Sequence, residues 1–104
     1  MQRKLGLIAE YLGELEALAQ LAEEAAELAQ AALKMRRAIT GKNPTPKSVE
    51  ECQAALMEEM ADVAVCAAQL GYLDGPPGMQ IGVIMARKAK RWQERLLNAK
   101  EGRR

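Results

Sequence analysis

The chain of 104 residues contains no histidine and no phenylalanine, and aromatic residues make up only 3% of it. Without histidine, every histidine-based catalytic triad is excluded, as are zinc sites of the Cys/His type. A di-iron bundle fails on the same ground, because it needs Glu-x-x-His on two helices. Cysteine is scarce: Cys52 and Cys66 are the two present. They fall in one expected helix, too far apart to bond to each other. They are expected to be small buried hydrophobes in a reducing compartment. No apolar run is long enough to span a membrane, and the N-terminus is no signal peptide, so a cytoplasmic location is expected. With so few aromatics, the core has to be built from Leu, Ala, Val, Ile and Met.

Hydrophobic residues at 49% and charged residues at 28% suit one soluble globular domain over residues 1–104. Alanine and leucine, both strong helix formers, dominate. The net charge of +1 gives no bulk attraction to nucleic acid or to a membrane. The local charge is uneven, at −4 over residues 1–33, +5 over 34–47, −5 over 48–62, −1 over 63–84 and +6 over 85–104. One account of the blocks is complementarity to helix dipoles, which suits Lys34, Arg36 and Arg37. The other is that folding gathers acidic and basic blocks around one pocket.

Three or four helices are expected, according to whether Gly13 breaks the first two or is tolerated within one long helix, and no strand. The first covers roughly residues 2–12. The second runs from about Glu14 to Thr40, with Leu15, Leu18, Leu21, Ala25, Leu28, Ala32 and Met35 at amphipathic spacing, and Gly41 caps it. "GKNPTPK" is a loop, because Pro44 and Pro46 cannot continue a helix. "SVEE" then opens the third helix with a capping box at Ser48. That helix runs to about Leu70, with Leu56, Met60, Val63, Ala67 and Leu70 as its inner stripe, and Gly71 ends it. "GYLDGPPGM" reads as a turn, followed by a fourth helix over roughly 79–99 with Ile81, Ile84, Met85, Trp92 and Leu96 facing inward. The expected fold is all-α: an antiparallel four-helix bundle. The second helix is long for a chain of this size, so completion of the bundle by homo-oligomerisation, as a homodimer or tetramer, is expected.

Two stretches stand out, "LAEEAAELAQ" at 21–30 and "LMEEMADVAV" at 56–65. Residues three or four apart share a helix face. Glu24 and Glu27 therefore lie together, as do Glu59 and Asp62. Like charges so placed repel by about 0.2–0.5 kcal/mol per pair, and no Lys or Arg within four residues of either cluster offsets this. A divalent cation would offset it, and Mg2+ prefers carboxylate oxygens. If the second and third helices pack antiparallel, the two pairs form a four-carboxylate cage. The competing account is two solvated Glu-rich faces.

Glu24 and Glu27 in "EEAAEL", followed by Glu59 and Asp62 in "EEMADV", resemble the paired motifs of the MazG-like nucleoside triphosphate pyrophosphohydrolases. That superfamily includes the dimeric all-α dUTPases and the dCTP pyrophosphatases. "ELAQAALK", "DVAV" and the closing "IMARKAKRWQERL" extend the resemblance over roughly residues 8–97. The interval 28–58 is slightly longer than the family pattern usually allows, with the extra residues in the proline loop.

The resemblance implies cleavage of a nucleoside triphosphate between its α and β phosphates, with Glu24, Glu27, Glu59 and Asp62 holding Mg2+, or Mn2+ in its place. One of these carboxylates, or Glu23, would orient the attacking water; Glu23, Glu24 and Glu27 are the catalytic candidates. Lys34, Lys88 and Arg91 are the candidate phosphate-binding residues, with Arg95 a turn further, against the alternative of a solvated basic helix end. Trp92 is the first candidate for base stacking, ahead of Tyr11 and Tyr72, although a tryptophan is more often a core residue. A different class remains open: a non-catalytic helical interaction module using the same bundle. Nucleic-acid binding through residues 85–104 is disfavoured by the neighbouring acidic clusters and the scarcity of aromatics.

Overall fold

A computed structural model describes residues 13–41 and 46–102. The helix expected over residues 2–12, and Tyr11 with it, lie outside the described residues. The described residues form three helices: α1 (Glu14–Thr40), α2 (Val49–Gln69) and α3 (Gly75–Lys100), with no strand among them. None of these helices is long and apolar enough to cross a membrane. The chain divides into two units, Met1–Leu70 and Gly71–Arg104. Helices α1 and α2 belong to the first unit and α3 to the second.

The ends of α1 and α2 lie where local chemistry puts them. Gly41 adopts the left-handed conformation at φ 69°, which costs glycine no Cβ clash. Its N–H donates to the Arg37 carbonyl at 2.8 Å. At the start of α2 the Ser48 hydroxyl accepts from the Glu51 N–H, and the Glu51 carboxylate accepts from the Ser48 N–H, both at 3.1 Å. Two N–H groups that the helix itself cannot satisfy are thereby paired, and such a cap typically stabilises by about 1 kcal/mol. The Ser48 backbone N–H, then its hydroxyl, hold the Glu51 carboxyl below its ordinary range, and the charge of Lys47 adds to this.

Helices α1 and α2 pack on one another and run antiparallel. Glu24 is close enough to act on Cys66, Glu27 approaches Glu59, and Lys34 shares a cavity with Cys52. Rising numbers on one helix thus meet falling numbers on the other. The buried residues of the pair are all small: Ala17, Ala31, Cys52, Cys66 and Ala68.

This seam follows part of the stripe that leucine spacing predicts: Leu21, Leu28 and Met35 on α1 and Leu56, Val63, Ala67 and Leu70 on α2 and at its end are covered. On α1 the covered positions are Ala17, Leu21, Glu24, Leu28, Ala31, Met35 and Ala38, three and four apart, whereas Leu15, Leu18, Ala25 and Ala32 are exposed. On α2 Met60 is likewise exposed, while Cys52, Leu56, Glu59, Val63, Cys66 and Ala67, with Leu70 at its end, are covered to differing degrees. Small side chains at the contact allow close approach of two helices. Leu21, Leu28 and Met35 lie along the contact, Leu15, Leu18 and Met60 lie outside it, and Glu24 and Glu59 lie within it.

In the second unit, α3 begins at Gly75, four residues before the expected start. Pro76 and Pro77 lie in its first turn, where a missing N–H forfeits no intrahelical bond. The turn also depends on Gly78. A Cβ there would lie 2.7 Å from the Leu73 carbonyl carbon. The inward stripe expected on this helix is corrected in most of its residues: Ile81 is half-buried, but Ile84, Met85, Trp92 and Leu96 are exposed and no residue of α3 is buried. The amphipathic pattern names which residues share a face, but a face is buried only if something covers it.

Candidate functional site

Glu24 and Glu27 project from the middle of α1, and Glu59 from the middle of α2. One carboxylate oxygen from each lies within 4.8 Å of the others. Local spacing puts the first two on one helix face, and the small-residue seam brings the third across. Two of these residues are half-buried, and Glu27 is exposed.

The cluster is under electrostatic stress. Burial pushes the Glu59 carboxyl above its ordinary range, and the negative charges of Glu27, Asp62 and Glu24 raise it further, as does a side-chain hydrogen bond with Glu27. Glu24 is steadied by Gln20, whose Nε2 donates to Oε1 at 3.1 Å. Its other oxygen, Oε2, is buried without a hydrogen-bond partner, and so is Oε2 of Glu59. An acceptor removed from water and left unpaired carries a desolvation cost. Among the described residues only Gln69 Oε1 shares that condition. The orphaned oxygens therefore gather at this cluster.

Cys66 stands on the far side of it. Burial pushes its thiol up, followed by the charges of Glu24 and Asp62. Without a metal the sulfur stays protonated at neutral pH, and it is not one of the three converging ligands. The donor set is oxygen alone, which suits a hard divalent cation such as Mg2+ or Mn2+.

On the other side, between α1 and α2, opens a cavity of about 350 Å3 lined by Glu27, Gln30, Lys34, Lys47, Cys52 and Glu59 among others. Lys47 comes from the end of the proline loop. Sequence spacing did not single it out, because a loop residue has no helical period. Its place in the +5 block over 34–47 was the available signal.

Comparison of the chain with protein-family profiles, with curated proteins and with solved structures finds no match. The site therefore has to be judged on its own chemistry.

The other expected residues are distributed as follows. Asp62 is exposed and outside the group of three, yet near enough to act on Glu59 and Cys66. Glu23 is exposed on α1. Lys34 lies in the cavity with Glu27 and Glu59. Lys88, Arg91, Trp92 and Arg95 together line a separate concavity on α3, and Tyr72 is exposed in the same unit.

Proposed function

We propose that the protein is a Mg2+-dependent nucleoside triphosphate pyrophosphohydrolase of the MazG-like kind, converting a nucleoside triphosphate to its monophosphate and pyrophosphate. The observation that carries this reading is the convergence of Glu24, Glu27 and Glu59 from two helices with two buried oxygens unpaired. Solvated surface glutamates keep their oxygens in water; Glu24 Oε2 and Glu59 Oε2 do not. Glu24, Glu27 and Glu59 would hold the ion, with Asp62 adding negative charge at the rim. When bound, Mg2+ neutralises charge developing on the transferred phosphoryl group. Gln20 keeps the Glu24 carboxylate oriented. Glu23 or one of the three clustered carboxylates accepts the proton of the attacking water. Lys34 supplies positive charge within the same cavity. Lys88 and Arg91 for phosphate and Trp92 for the base are the candidates that the resemblance implies in the second unit.

The decisive experiment is a panel of deoxy- and ribonucleoside triphosphates incubated with Mg2+, with released pyrophosphate measured. Pyrophosphate from at least one of them, abolished by chelation, is expected. Phosphate release alone, or none, refutes the reading.

The same proposal includes assembly of copies into a homodimer or tetramer that completes a four-helix bundle. Its support is the apolar surface left uncovered in one chain, with Leu15 81% and Met79 74% exposed. Light scattering at micromolar concentration should give at least twice the monomer mass; a monomer refutes this part. The two free buried thiols suit a reducing cytoplasm. The uncovered surface also favours the second reading, a non-catalytic interaction module. That reading predicts no thermal response to Mg2+.

A further inference from the structure

The cavity beside the carboxylates has two chemically opposite ends. Going from Glu27 to Lys34 along α1 covers about 10 Å at 1.5 Å per residue. Going back from Glu59 to Cys52 along α2 covers the same distance in the same direction, because the helices are antiparallel. Lys47 stands just beyond, one residue before the Ser48 cap. Carboxylates thus occupy one end and Lys34 and Lys47 the other, with Gln30, Ala31 and Ala55 between. Side chains on a helix lean toward its N-terminus, so Lys34 leans back toward the carboxylates and Glu59 leans toward the lysines. The reciprocal hydrogen bonds between Ser48 and Glu51 fix the backbone immediately after Lys47. The lysine therefore enters the cavity from an anchored point, although it lies in a loop.

A ligand touching both ends must bind a divalent cation and also accept hydrogen bonds from ammonium groups. A polyphosphate chain does both. A simple cation would be repelled at the lysine end, and a carboxylate ligand has too few oxygens to serve both ends.

We infer that Lys47 is a phosphate-binding residue of this site: with Lys34 it holds the terminal phosphates of the substrate, whose reacting end lies against Glu24, Glu27 and Glu59. The inference rests on the proposed pyrophosphohydrolase reading and deepens it. It orients the substrate along the seam, with the leaving pyrophosphate pointing toward the loop between α1 and α2.

The test uses the full chain and inorganic tripolyphosphate as the probe. Calorimetry measures Mg2+ binding alone, and then tripolyphosphate binding in saturating Mg2+, for wild type, Lys47→Gln, Lys47→Arg and the control Lys90→Gln on α3. Loss of one charge-assisted hydrogen bond corresponds to about a tenfold weakening. That is the expected effect of Lys47→Gln on tripolyphosphate, with Lys47→Arg restoring most of it. Affinity for Mg2+ alone should stay the same or rise, since a nearby positive charge is gone. A nucleoside monophosphate, which lacks the terminal phosphates, should bind wild type and Lys47→Gln equally. If wild type binds Mg2+ and tripolyphosphate, and Lys47→Gln binds both as tightly, the inference falls and the proposed function survives. If Lys90→Gln weakens tripolyphosphate as much as Lys47→Gln does, general surface charge is responsible and the inference falls as well. If wild type binds neither probe, the functional reading falls and takes the inference with it.

Discussion

Changing Glu59 to glutamine should abolish the rise in melting temperature that Mg2+ gives the wild-type protein, and should cut pyrophosphate release by about a hundredfold or more, since metal-borne charge stabilisation is worth several kcal/mol. Without metal the variant should be no less stable than wild type. The Glu59 carboxyl is raised by burial and by Glu27, Asp62 and Glu24, so the folded state holds its proton more tightly than the unfolded chain does. Stability then falls as pH rises from the ordinary carboxyl value of 4.5 through the raised one, because ionisation is disfavoured only in the folded state. Melting in chelator as pH rises from 4.5 should show this loss in wild type, and Glu59→Gln should lack its share of it. A solvated glutamate would behave otherwise: its replacement would change stability by under about 0.5 kcal/mol and leave the metal response intact. Equal Mg2+ responses in the two proteins would remove Glu59 from the site.

The second large effect is expected at Cys66. This residue is buried in the seam beside Glu24. A leucine there adds bulk where two helices meet through small side chains, and overpacking of this kind costs about 1–3 kcal/mol. In a chain of this size that lowers the melting temperature by about 4–8 °C per kcal/mol. The strain also separates Glu24 from Glu59, so Cys66→Leu should lose much of the Mg2+ response as well. Cys66→Ala adds no bulk and should keep that response, because the three converging ligands are carboxylates alone. Retention of the metal response by Cys66→Leu would show that the carboxylates do not depend on the tight seam. Its loss in Cys66→Ala would show that the sulfur itself takes part.

The local features of this chain follow from short-range chemistry. Helix α1 ends at Gly41 because glycine tolerates the left-handed turn, and α2 begins at Ser48 because serine and Glu51 satisfy each other's backbone partners. Both features depend on residues within four positions of one another, so spacing reveals them. The start of α3 was harder to place. Two prolines signal a turn, yet a first helical turn accepts them equally well.

What the sequence by itself determined is therefore the helices of the first unit, their caps, the absence of histidine chemistry, and the pairing of Glu24 with Glu27 on one face. Each is settled by residue type and by neighbours along the chain. The tertiary structure alone decided which face becomes the seam. Leucine spacing pointed to Leu15 and Leu18 along with Leu21, Leu28 and Met35; only the last three are covered, and the most deeply buried positions include Ala17, Ala31, Cys52 and Cys66, because helix approach is limited by side-chain size at the crossing and not by hydrophobicity alone. That rotation brings Glu59 to Glu24 and Glu27 and leaves Asp62 at the rim. It also puts Lys47, a loop residue with no period of its own, into the same cavity as the carboxylates. Contacts between residues more than thirty positions apart depend on how two surfaces fit, and no local pattern encodes that fit.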